Sequence, residues 1–267
     1  MKNIYLSAGS IREVFKGLEN SFEGALNSDD NTFKLSLNTS LTKGKIEGFT
    51  FINGITTIHI EMTFFEDVTL SMESAGTSSI VFAYCNGEGF QHSFGSTGHK
   101  IGVKKGHSVV LTNNRSINTV LQFHKNTTIQ FSLIKVETEG MAQTNGNPIL
   151  YNLKNTFLNK QSKDCYQGIQ NSSITEKLQQ LQLISESGMI GHILQKEYIN
   201  AILQIEIDDH TDSIYKLYLI ITAATLHQFN EIKKMYVFIK HCTLGAIYPR
   251  IMPSKNKIFM RSFVEKI

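Results

Sequence analysis

The sequence has no apolar run long enough to cross a bilayer; the best candidate, Leu217–Ala224, is too short and carries Tyr218 and Thr222. Its opening residues, Met1-Lys2-Asn3-Ile4-Tyr5, lack the long apolar region and cleavage pattern of a secretory signal. It has only three cysteines, Cys85, Cys165 and Cys242, odd in number and far apart. Neither a disulfide framework nor a zinc site is expected from them. These absences point to a cytoplasmic chain with free thiols and no membrane partner.

Catalytic signatures are also missing. No Ser-His-Asp or Cys-His order is legible, and no Gly-rich phosphate loop leads from a strand into a helix. His59 and Glu61 alternate on one strand and would share a face, while His92, His99, His107 and His124 are scattered. None of them makes the His-x-His with a following Glu that metal-binding β-barrels use, and a metal needs several converging ligands. The acid pairs Glu66-Asp67 and Asp208-Asp209 read as solvated turns. The expectation is no catalytic residue, no metal and no cofactor.

What is present is a chain of 267 residues, 41% apolar, enough for real cores and for two modest domains. Net charge is +3 but unevenly spread. Between Glu231 and Ile267, eight Lys and Arg face two Glu, a local +6 that leaves the remaining chain at −3. A basic end on an acidic body is the asymmetry expected where a terminus meets an anionic partner.

The first half reads as strands. Residues 1–30 look like a leader, with a short helix over Ile11–Leu18 and a loop over Asn27–Asn31. Alternation then marks Phe33–Leu37, and Gly48–Ile52 and Ile55–Phe64 flank Asn53-Gly54, the strongest short hairpin signal. Val68–Met72 alternates again, and Ile80–Cys85 is continuously apolar, like an inner strand. Ile101–Val103, Ser108–Thr112, Asn118–Phe123 and Thr128–Glu137 complete the set. Short strands at roughly ten-residue spacing predict an antiparallel barrel or sandwich. Such a barrel can bind a small effector in its mouth. Phe82, Tyr84 and Phe94 offer aromatic wall and His59, His92 and His107 polar contacts, the inward face of each strand being left open.

Beyond the polar stretch Gly140–Pro148, and a partly helical Leu150–Gln167, the pattern turns helical. Ser173 and Glu176 have capping-box spacing, followed by Ile174, Leu178, Leu181 and Ile184 as one apolar stripe. Ile190, Leu194, Ala201, Ile202 and Ile205 form a second stripe, with the break near Gly188. Such a pair either covers the β half or dimerises. Asp208–Asp212 reads as a polar junction, and Ser213–Phe229 and Glu231–Cys242 as helices. Thr243–Phe263 then reads helix, turn, helix, with Pro249 inside the first and Pro253 opening the second. Ser254, Lys255, Asn256 and Lys257 at that N-terminus are the chemistry of a groove-reading helix.

This order of parts resembles the AraC/XylS-type transcription regulators. The likeness rests on a β-rich half with Phe82-Ala83-Tyr84-Cys85-Asn86-Gly87, linker helices marked by Ile174, Leu178, Gly188, Leu194, Glu197, Ile202 and Leu203, and the run Lys257-Ile258-Phe259-Met260-Arg261-Ser262-Phe263. The resemblance implies an α+β protein with three parts. Residues 1–147 would be a cupin-like effector-sensing β-barrel, 148–210 a linker with the coupling and dimerising helix pair, and 211–267 a partial DNA-binding domain. It implies DNA contacts by Ser254, Lys255, Asn256, Lys257 and Arg261, with Thr243–Met252 as the supporting helix, and a homodimer switched by a small-molecule effector. The family carries two helix-turn-helix units and this chain reaches only the first, so a fragment or a shortened regulator is expected. The alternatives are a metal-dependent cupin enzyme and a truncated regulator acting as a dimerising interaction module.

Overall fold

The computed structural model describes residues 1–29, 31–51, 54–73, 79–113, 118–137, 148–158, 165–184 and 188–211. The chain divides into two compact units, Met1–Asp208 and Asp209–Ile267. Nearly all described residues belong to the first. The helices read over 213–267, and with them Ser254, Lys255, Asn256, Lys257 and Arg261, lie outside the described residues. Among the described residues no helix is long and apolar enough to cross a membrane.

The first unit opens with β1 (Lys2–Leu6), α1 (Ile11–Phe22), β2 (Ala25–Asp29), β3 (Thr32–Asn38), β4 (Thr42–Thr50) and β5 (Ile55–Phe64). It continues through β6 (Val68–Met72), β7 (Ser79–Cys85), β8 (Phe90–Phe94), β9 (Ile101–Val103), β10 (His107–Asn113), β11 (Thr119–Phe123) and β12 (Thr127–Glu137). Then come α2 (Pro148–Leu153), a π-helical turn (Lys154–Leu158), β13 (Cys165–Ile169), α3 (Ser172–Gln182) and α4, residues 188–211.

The strands form two open sheets, within the barrel-or-sandwich expectation from their spacing but not the closed barrel that the resemblance implies. One has the order β1-β6-β11-β8-β9, the other β13-β10-β7-β12-β5-β4-β3-β2. The edges β1 and β9 of the first and β13 and β2 of the second each pair on one side only, so neither sheet closes on itself. One pairing is parallel, β1 on β6. The leader reading therefore fails: β1 is a sheet strand, and α1 buries Phe15, Leu18 and Phe22 in the core. Ser10 caps α1 in a full capping box with Glu13. Asn27–Asp29, read as loop, belongs to the edge strand β2, whose exposed polar side chains give no alternation.

The β4–β5 hairpin forms where Asn53-Gly54 predicts it, with Thr50 opposite Thr56 and Gly54 at φ 76°. Gly44 has φ 145°, and a Cβ there would strike the Glu61 carbonyl of the neighbouring strand.

At β7 the eight-stranded sheet is buried on both faces, which explains the continuous apolar run of that strand. Cys85 packs inward with Ile60, Met62, Phe131 and α1. Ile80, Phe82 and Tyr84 point the opposite way, into a second core with Leu150, Leu153, Phe157, Ile174, Leu178, Ile199, Ile202, Leu203 and Ile207. The helices thus cover the sheet. α3 is capped by Asn171, whose side chain accepts from the Ser173 N–H, rather than by Ser173 with Glu176. Asn caps as well as Ser does, and Glu176 instead accepts from Gln180. The second stripe holds at Ile202, which is buried, and at Ile205, which packs against the same core, but Ile190 and Leu194 are exposed, and Ile199, Leu203 and Ile207 are buried instead. The Asp208–Asp212 junction is helical to 211, with Gln204 donating to Asp208 one turn on.

Candidate functional site

The space between the two sheets is filled at one end and open at the other. Phe64 and Phe123 stack with centroids 5.0 Å apart, and Phe131 packs on Phe90 at 4.9 Å. These rings sit at the Cys85 end of β7 and close that end. Toward the other end the lining is of smaller or more flexible side chains, Ile58, Met72, Val81, Leu111 and Leu133. They leave a cavity of about 200 Å³ beneath the start of α1. A smaller void of about 40 Å³, lined by Leu6, Val14, Ile58, Met72 and Leu133 in common with it, reaches toward Phe64 and Phe123.

The mouth is polar. Lys135 donates to Glu137 across 3.2 Å, and Glu73, also at the rim, accepts the Ala8 N–H at 3.0 Å. Ser7, Thr56, Ser79 and Thr119 complete it. An apolar hollow with a few polar groups at its opening suits a small, mostly apolar molecule with one polar end.

The nominated effector residues do not converge here. Phe94 lines the cavity. His92, two residues earlier, is buried in the sandwich and meets the Phe94 ring edge-on at 4.8 Å. Both of its ring nitrogens lack a hydrogen-bond partner among the described residues, and burial holds its pKa at about 4. Phe82 and Tyr84 face the helices, Phe82 against Phe157, and Tyr84 donating its hydroxyl to Glu206 at 3.0 Å. Burial raises the Tyr84 pKa far above its usual value, and the Glu206 carboxylate pushes the same way. His107 lies beside the β9–β10 turn, its Nδ1 3.2 Å from the Lys105 carbonyl. His59 is on the helix-facing side of β5, with Nδ1 3.0 Å from both Ser132 Oγ and Gln182 Nε2.

Sequence reasoning misses Lys135, Glu206, Ser132 and Gln182. Two of these carry a signal. Lys135 continues the inward parity of Phe131 and Leu133 on β12, and Glu206 interrupts the stripe of Ile199, Ile202 and Leu203. Among the described residues no three His, Cys, Asp or Glu side chains converge as metal ligands.

No family model and no curated protein matches the chain. Solved structures do. ToxT from Vibrio cholerae with bound unsaturated fatty acid matches at 11% identity and TM-score 0.38, over 68% of this chain and 57% of that one. The AraC-like transcriptional activator CuxR matches at 7% identity and TM-score 0.36, over 64% and 56%. The iron(II) protein HppE matches at 6% and 0.29, over 42% and 59%. The chain thus spans less than two thirds of each of these proteins. TM-scores of this size leave fold and function to be argued from the chain's own residues.

Proposed function

We propose that the chain is a non-enzymatic, ligand-responsive transcription regulator of the cytoplasm. A small effector occupies the cavity between the sheets, α3 and α4 relay its presence, and the basic segment from Glu231 onward meets DNA through Ser254, Lys255, Asn256, Lys257 and Arg261. One observation carries the reading. β7 and β12 line the cavity with Val81, Leu133 and Lys135, and with Ile80, Phe82, Ile134 and Val136 on their other face they seat the helices. An effector that shifts these strands alters the seat of α4, the helix that leads into the basic segment. Differential affinity for two arrangements of that seat is all that a switch requires.

Fluorescence anisotropy of the full chain on duplex DNA over a salt series tests the reading. Lys255→Ala with Lys257→Ala weakens binding and flattens the log–log salt slope by about 0.9 for each lost phosphate contact. An unchanged slope removes the DNA-binding role.

A dimerising interaction module is a second reading. Met189, Ile190 and Ile193 on α4 are more than half exposed, an apolar patch suited to a second copy of α4. Sedimentation of the full chain distinguishes the two: Ile190→Lys with Ile193→Lys converts a dimer into a monomer, whereas a monomeric parent excludes the module.

A further inference from the structure

On the helix-facing side of the eight-stranded sheet lies a separate cavity of about 150 Å³. That is the size of a pocket able to hold one benzene ring. Its floor carries His59 and Ser132, partners across β5 and β12; its roof carries Gln182 of α3 and Gln195 of α4. Leu178 and Ile199 supply apolar wall.

Hydrogen-bond chemistry fixes what this cavity offers. The Gln182 amide nitrogen donates, and it lies 3.0 Å from His59 Nδ1. Nδ1 therefore accepts, and the neutral ring carries its proton on Nε2. Burial lowers the His59 pKa against the opposing pull of Glu47 and Glu61, with Lys45 acting in the same sense as burial, so the ring is neutral at pH 7. Nε2–H is left as a donor that no described side chain takes up. Gln195 lines the same cavity, and its Oε1 is buried without a hydrogen-bond partner among the described residues, so a rotation of the amide presents it to an occupant. A buried acceptor is costly to leave unmet. At the rim Lys34 and Glu47 are cross-strand partners whose charges offset one another.

We propose that this cavity binds a small uncharged ring compound bearing an acceptor beside a donor, the acceptor taken by His59 Nε2–H and the donor given to Gln195 Oε1. Its occupant touches the sheet, α3 and α4 together, so it holds the helices to the sheet by mass action. The proposal rests neither on the DNA-binding reading nor on an occupant of the cavity between the sheets.

The test uses the full chain and three probes of one size: benzamide, toluene and benzoate. Saturation-transfer NMR titrations give their affinities, and thermal melting reports the coupling to the helices. Benzamide binds at least about tenfold more tightly than toluene or benzoate and raises the melting midpoint. Gln195→Leu and His59→Leu each weaken benzamide by about fivefold or more and leave toluene unchanged. Gln195→Leu replaces an amide whose oxygen is unpaired with an apolar side chain and folds at least as well as the parent, so it decides the matter even where His59→Leu does not fold. Equal affinity for benzamide and toluene, indifference of benzamide to Gln195→Leu, or no benzamide binding up to roughly 10 mM overturns the proposal.

Discussion

His92 makes the stability of the β unit depend on pH in a way that one substitution removes. The side chain is 2% exposed, lies between Phe90 and Phe94 on β8, and is opposite Leu121 and Ile101. Burial is the cause that lowers its pKa from 6.5 to about 4. In the unfolded chain the imidazole takes up its proton near 6.5; in the folded chain it does so only near 4. Between those values the unfolded state binds more protons, so stability is fully present above pH 6.5 and falls as pH drops toward 4. The gap corresponds to about 3 kcal/mol, lost at about 1.4 kcal/mol per pH unit, a large part of the ~5–15 kcal/mol typical of a domain. His92→Leu fills similar volume, does not titrate and leaves no unpaired nitrogen. Urea unfolding followed by circular dichroism at several pH values from neutral to about 4.5 measures the difference. Above pH 7 the variant is the more stable by about 1 kcal/mol or more, because the unmet nitrogens are gone. As pH falls the parent loses ground to it at the stated slope. His59, also depressed, is present in both proteins and cancels. Parallel pH profiles for parent and variant refute the reasoning.

Tyr84→Phe strips a buried donor from Glu206 and lowers stability by about 1–3 kcal/mol in urea unfolding, with Glu206→Gln milder because its amide oxygen still accepts; equal stability of Tyr84→Phe and parent contradicts this. Asn171→Ala removes the α3 cap and costs about 1 kcal/mol by the same assay, whereas Ser173→Ala, the cap suggested by spacing, costs less than half of that.

The central strands are legible in the sequence because each must satisfy a buried face. β5 and β6 fall on Ile55–Phe64 and Val68–Met72 as read, and β7 announces its two covered faces by an unbroken apolar run. The edges are not legible, for a physical reason. β13, Cys165-Tyr166-Gln167-Gly168-Ile169, pairs on one side and leaves most of its side chains in solvent, so no alternation is imposed on it. β8 does alternate, Phe90, His92 and Phe94 pointing one way, but glycines at 87, 89 and 95 disguise it as turn. α4 shows a subtler failure. At about 100° per residue, Ile190 and Leu194 lie opposite Ile199 and Leu203, nine positions on, so the helix carries an apolar set on each side. Periodicity alone does not choose between them, and the sheet decides which is buried. Residue type groups Phe82, Tyr84, His59 and Phe94 without regard to face, and strand parity then sends the first three toward the helices and Phe94 into the sandwich.

The two cavities are not independent pieces of space. Ile58 and Leu133 border both, one sheet thickness apart on β5 and β12. A molecule that moves these strands from within the sandwich therefore moves the floor beneath His59 and Ser132, and an occupant of the outer cavity resists that motion. Linkage makes such an effect reciprocal: whatever factor one ligand imposes on the affinity of the other is returned in equal measure, and such couplings are typically about 1–3 kcal/mol. The outer cavity is roofed by α3 and α4, so a ligand held there touches both helices directly, while a ligand between the sheets reaches them only through the strands beneath them.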